Sequence, residues 1–294
     1  MSIEITQSII DAQEHAGIDV SRFTRQDFLN SYYSRQAVSQ SVFENRKNEM
    51  QTYLISIGAD KALSELSTIS RKDINYSKTY DKEYFADFDD FYDSLMQRVN
   101  SLSINSHDSI YDMQVASLIL AWVGVLSEDA PDIKKSGLNT RLNVLAVNDK
   151  TYAVPQKAMD ILIAYANKTR IVKYNGRGLC EMPLKEGPYL LRTYKSEKVS
   201  AYAVYAGVSI KLNVADGKKF LYNNVRLSGV FSRVFEHEQQ YGEIEDIPWG
   251  YDSEEKTSYI SKLEELFEIE GLSQKTLRER MTQYRAWKDH FHGK

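Results

Sequence analysis

Apolar residues recur along most of this chain at steps of three, four and seven, the spacing of helices that bury one face. Over residues 24–58 they fall at Phe28, Tyr32, Val38, Val42, Phe43, Met50, Tyr53, Leu54 and Ile57, with Ser39 or Ser41 placed to open a helix and Gly58 to close it. A short helix is expected at 61–66 and a polar loop over 69–81. Residues 84–102 predict a helix with Phe85, Phe88, Phe91, Leu95 and Val99 on one face and aspartates on the other. The most apolar stretch, 107–125, predicts a buried helix capped by Ser106, Asp108 or Ser109. Its apolar run at 115–126 falls well short of the ~20 residues a bilayer requires.

Beyond Pro131 the period shortens to alternation. LNVLAV, the turn Asn148-Asp149-Lys150 and TYAVP predict the two strands of a hairpin, stopped by Pro155. A helix follows over 156–169, a Gly/Pro-containing loop over 175–188, a short strand at YLLRTY and a helix over 196–214. The basic turn DGKK at 216–219 leads into a helix starting near Asn223, and after an acidic, irregular stretch over 243–252 two helices at 254–270 and 273–291 close the chain. The expected fold class is therefore mainly α with a small β-hairpin or sheet, without internal repeats. A chain of 294 residues exceeds what one core comfortably organises, so two domains are expected, 1–105 and 106–294, with the boundary near 103–108.

Composition narrows the class. Hydrophobic residues are 42%, charged residues 27% and the mean hydropathy is -0.47, the balance of a soluble protein with no membrane partner. The amino terminus lacks the pattern of a signal peptide, and the single cysteine, Cys180, fits a reducing compartment, so a cytoplasmic location in a bacterial host is expected. His15, His107, His237, His290 and His292 are scattered without cysteine partners, and Gly176–Gly178 is too short for a phosphate loop, so neither metal nor cofactor is implied. The net charge of -4 conceals a strong segregation: -9 over residues 1–130, +11 over 131–235 and -6 over 236–294. A basic centre of this size is an electrostatic footprint for phosphate, or else a solvated lysine-rich surface.

The order of apolar helix, Gly124, polar stretch, hairpin, Pro155 and helix resembles the start of the catalytic domain of tyrosine recombinases, the phage integrases. In that family the helix ends in a Thr-Gly-Leu-Arg-like turn whose arginine grips the scissile phosphate, followed by an acidic residue and a hairpin lysine. Over AWVGVLSEDAPDIKKSGLN, Gly124 falls on the glycine, Leu126 on the arginine and Asp129 on the acidic position, while Lys150 sits at the hairpin turn. In KKFLYNNVRLSGVFSRVF, Asn223 falls on the histidine and Arg226 on the arginine of the His-x-x-Arg motif. In GLSQKTLRERMTQYRAW, Gly271 and Leu272 fall on the Gly-His turn and Arg280 on the tyrosine nucleophile, with Tyr284 about one helical turn further on. The first arginine, both histidines and the tyrosine are thus replaced. The resemblance implies a tyrosine recombinase-like two-domain architecture that binds DNA but lacks the charge clamps and proton donors of strand transfer, and so is not an enzyme. Residues 28–58 are similar to the family's core-binding helical domain. VRLSGVF at 225–231 and the ending QYRAWKDHF resemble the lytic-cycle repressors of SPbeta-like prophages.

The expected function is that of a non-catalytic prophage repressor controlling lysogeny against lytic growth by holding double-stranded DNA at operator-like sites, with an antirepressor protein or a peptide-regulated partner implied. The candidate phosphate contacts are Lys134, Lys135, Lys195, Lys198, Lys218, Lys219 and Arg226 in the basic centre, and Arg35, Arg46 and Lys47 in the first domain. Two other readings stay open: a divergent active recombinase using Tyr284 or another tyrosine, and a helical protein-interaction module whose basic segment docks an acidic partner. Arg226 also suits a helix cap or an ion pair, Lys218 and Lys219 a polar turn, and Trp122 and Trp287 core anchors.

Overall fold

The structure, a computed structural model, describes residues 6–33, 40–70, 73–74, 77–102, 111–174, 178–213, 217–247, 254–268 and 274–293. It divides into two compact units, residues 1–82 and 83–294. Arg35, Ser39, Ser106, Asp108 and Ser109 lie outside the described residues.

The first unit is helical: α1 Gln7–Ala16, α2 Arg25–Asp27 running into a π-helical turn at Phe28–Tyr33, α3 Gln40–Ser56, α4 Asp60–Ser67, and α5 Ser77–Glu83 reaching its boundary. Thr24 and Asp27 form a reciprocal capping box at the start of α2, which satisfies two backbone donors at once. Phe23, Phe28, Tyr32, Phe43, Met50, Leu54 and Leu66 make its core. The helix expected to end at Gly58 does so. The loop expected over 69–81 does not hold throughout, because SKTYDKE contains no Gly or Pro to stop a helix and is wound into α5.

The second unit comprises α6 Phe88–Leu102, α7 Asp112–Val123, β1 Leu138–Asn139, β2 Val144–Val147, β3 Lys150–Ala153, α8 Gln156–Ala166, β4 Arg170–Tyr174, β5 Leu179–Pro183, α9 Ala201–Leu212, α10 Tyr222–Tyr241, α11 Glu254–Leu266 and α12 Gln274–His292. α7 is its centre, buried without a break from Gln114 to Val123. Trp122 stacks on Phe91 of α6 with ring centroids 5.1 Å apart. α10 crosses so close to α7 that a Cβ on Gly229 would collide with the Trp122 carbonyl. The Phe85 N–H donates to Ser228 Oγ of α10, and its carbonyl accepts the Trp287 indole N–H of α12 at 3.0 Å. Phe85, Phe91, Leu95 and Val99 share a core with α7, so the division falls at Lys82/Glu83, ahead of the 105/106 boundary expected from the sequence.

The expected hairpin is present as β2–β3, antiparallel with Val147 opposite Lys150, and β1 adds a third strand in the order β1-β2-β3. A second antiparallel pair, β4–β5, runs from Arg170 opposite Pro183 to Tyr174 opposite Leu179. Its second strand falls inside the loop expected over 175–188, paired to the β-branched RIVKY of β4; residues 175–177 lie outside the described residues. YLLRTY contributes only an isolated bridge, Tyr189 to Lys134, and no strand. Leu190 and Leu191 instead anchor the segment in the core, and Arg192 donates to the Lys185, Ala166 and Lys168 carbonyls. Among the described residues no helix is long and apolar enough to cross a membrane.

Candidate nucleic-acid interface

α7 ends because Gly124 turns left-handed, at φ +114, where a residue with a Cβ is strained. The carbonyls left without helical partners at this end attract cations. Two arginines of α10 supply them: Arg233 Nη1 donates to the Trp122 carbonyl at 3.0 Å and Arg226 Nη1 to the Gly124 carbonyl at 3.4 Å. They stand seven residues apart on one helical face. The β2–β3 hairpin brings Lys150, Thr151 and Tyr152 to the same place, and together these groups line a cavity of about 390 Å³. α11 and the turn after it contribute Glu264, Glu265 and Glu268 to its wall.

The electrostatics follow from burial. Arg226 is held below the ordinary guanidinium value by burial, with Glu268 opposing that shift. Arg280 of α12 is pushed down to about 10 by burial and then by the nearby charge of Arg226, against Tyr84. Burial also raises the Tyr152 phenol, with Lys150 opposing. At neutral pH the cavity thus carries two charged guanidiniums, with a third, Arg280, within electrostatic reach. Leu126 lines it and supplies no charge.

The residues singled out in the sequence scatter over several sites. Arg226 is in the cavity. Lys134, Lys135, Lys195 and Lys198 belong to the segments joined by the Lys134–Tyr189 bridge and by the Lys135 N–H bond to the Pro188 carbonyl. Within that group Lys198 pairs with Asp132, and burial followed by the charge of Arg192 lowers Lys135. Lys218 and Lys219 pair with Asp90 at 3.6 Å and Glu83 at 3.5 Å. Lys47 caps the Ser67 and Ile69 carbonyls, and the Arg46 carbonyl accepts the Tyr32 hydroxyl, so both are tied into the first unit. Arg233 lies in the basic centre expected to contact phosphate and Arg280 falls at the nucleophile position of the resemblance, whereas Glu268 was not foreseen. The seven-residue step from Arg226 was a signal for Arg233, whereas nothing local marks Glu268.

Tyr284 does not line the cavity. Its ring is buried against Phe231, Phe267 and Trp287, and its hydroxyl donates to Glu238 Oε2 at 2.6 Å. Burial and that carboxylate raise the phenol far above its ordinary value, the reverse of what a nucleophile needs.

Fold and cavity together define a mainly helical, two-unit protein with a pocket lined by both cations and carboxylates at the end of the second unit's central helix. No protein-family model matches the sequence, and no curated protein matches it. Among solved structures the chain is similar to XerA recombinase, at 12% identity over 95% of this chain and 89% of that one, with a TM-score of 0.38. It is similar to the integrase from mycobacterium phage Brujita at 11% identity, over 98% and 85%, with a TM-score of 0.37. It is also similar to lambda integrase, in a tetramer bound to a Holliday junction, at 14% identity over 85% and 75%, with a TM-score of 0.34. These are enzymes by name, and the expectation that the chain is not an enzyme is corrected on that finding.

Proposed function

We propose that the chain binds double-stranded DNA through its phosphate backbone, with the second unit seating a phosphate in the cavity between the β2–β3 hairpin and α10. The observation that carries this reading is the convergence of Lys150, Arg226 and Arg233 on one cavity, at the turn where the recombinase resemblance puts the phosphate. Guanidinium groups favour such oxyanions because their planar N–H donors match paired oxygens. Lys134, Lys135, Lys195 and Lys198 extend the contact along the backbone and supply salt-dependent affinity. In this reading the chain has a recombinase-like architecture, its amino-terminal part core-binding-like and the remainder catalytic-domain-like. Its biological role is that of a prophage regulator that represses transcription at operator-like sites and is relieved by an antirepressor or a peptide-regulated partner. The resemblance of residues 225–231 and of the QYRAWKDHF ending supports that role.

The test is fluorescence anisotropy of a labelled duplex over a salt series, followed by genome-wide mapping of bound DNA. Arg226→Ala is expected to weaken duplex binding about tenfold and to lower the salt slope by about one. A wild-type chain with no duplex affinity would return the basic segment to docking an acidic protein. A second reading, strand transfer, has one observation for it, that the Tyr152 phenol shares the cavity with Lys150 and Arg226, and one against it, that burial raises this phenol. A nicked suicide duplex that captures a covalent protein–DNA adduct would establish it.

A further inference from the structure

The cavity already holds an anion, and the chain supplies it. Glu268, in the turn directly after α11, extends its carboxylate to the end of α7. Oε1 accepts both Nε and Nη2 of Arg233, at 3.0 and 2.6 Å. Oε2 is buried without a hydrogen-bond donor and lies 4.0 Å from Arg226 Nη1. The fit depends on residue 124 being glycine, because a Cβ there would run into Oε2. A carboxylate has two acceptor oxygens, and here one is over-supplied while the other is shut in beside a guanidinium it does not reach. A phosphate, with more oxygens at tetrahedral angles, would use both arginines. Glu264 and Glu265 of α11 line the same cavity and add negative charge where a polyanion would enter.

We propose that Glu268 is an internal stand-in for phosphate: the guanidinium seat of Arg226 and Arg233 is self-occupied, and the turn after α11 must withdraw before a DNA phosphate enters. This rests on the DNA-binding reading for the identity of the ligand, but the occupancy itself can be tested with inorganic phosphate alone. The closed and open arrangements are then two states, of which the anion binds only one, so removing the carboxylate raises apparent affinity.

The experiment uses the full chain as wild type, Glu268→Gln, and Glu268→Gln combined with Arg233→Ala. Melting is followed across an inorganic phosphate series at matched ionic strength, and duplex binding by anisotropy. Phosphate is expected to raise the Tm of Glu268→Gln while leaving the wild type and the double variant unmoved. Duplex affinity of Glu268→Gln is expected to rise about tenfold, within the range usual for coupled equilibria. A Glu268→Gln chain no more responsive to phosphate than the wild type would overturn the proposal and leave Glu268 as an ordinary ion-pair partner. Should Glu268→Gln not fold, Glu268→Asp keeps the charge but draws the carboxylate back from Arg233 by one methylene, which partly vacates the seat. A gain in its phosphate response supports the proposal, and an unchanged response overturns it. A phosphate-responsive Glu268→Gln chain without duplex affinity would uphold the self-occupied seat and remove the DNA-binding reading.

Discussion

Glu238 shows how much one buried carboxylate organises. Oε2 accepts from Tyr284 at 2.6 Å and from Lys288 at 2.8 Å, and Oε1 accepts the Ile244 N–H at 2.9 Å. Burial pushes this carboxyl up, but the three donors outweigh it and hold the group below its ordinary value of 4.5. A folded value lower than the unfolded one means the group contributes stability above the carboxylate range and loses it as pH falls through the folded value. Glu238→Gln is accordingly expected to flatten the acid limb of stability below about pH 4.5, read from urea denaturation over a pH series. Tyr284→Phe keeps the ring packing and removes a hydrogen bond to a charged acceptor, which predicts a loss of about 1.5–3 kcal/mol in the same assay. Gly124→Ala combines a strained left-handed backbone with a clash against Glu268, for an expected cost of about 1–3 kcal/mol.

At the scale of elements, the tightest joint is α7 against α10. Their backbones touch at Trp122 and Gly229, so Gly229→Ala forces the helices apart and is expected to cost about 1–3 kcal/mol or more, measured by denaturant midpoint. Both helices could be read from sequence, because α7 is continuously apolar and α10 follows a basic turn. The β2–β3 hairpin was equally plain, alternating up to Pro155. β4–β5 was not: the nearby glycines read as loop, and its pairing is a tertiary fact that RIVKY alone does not state. The candidate site was half visible for the same reason. Arg226 could be placed by a short motif, and Arg233 stood one heptad along the same face. Glu268 pairs with Arg233 across 35 positions, and no local pattern carries that distance.

Over the whole molecule, the charge segregation of the sequence acquires a second meaning. Lys157 pairs with Asp89, Lys218 with Asp90, Lys219 with Glu83 and Arg233 with Glu268, so part of the basic centre is answered by the acidic segments on either side of it. The exposed pair among them, Lys157–Asp89, contributes little, about 0–1 kcal/mol. Each unit has its own core, and the second begins before α6. A fragment of residues 83–294 is expected to melt cooperatively by circular dichroism. A fragment of 106–294, stripped of Phe85, Phe91 and Leu95, is expected to show no cooperative transition. The bond from Trp287 to the Phe85 carbonyl spans 202 residues and joins the first segment of the second unit to its last helix. At ribosomal speeds of about 5–20 residues per second, Phe85 leaves the peptidyl-transferase centre roughly 10–40 s before its partner is made. The nascent unit therefore spends most of its own synthesis without the bond that ties α12 to Phe85, and that joint closes only once α12 has left the ribosome.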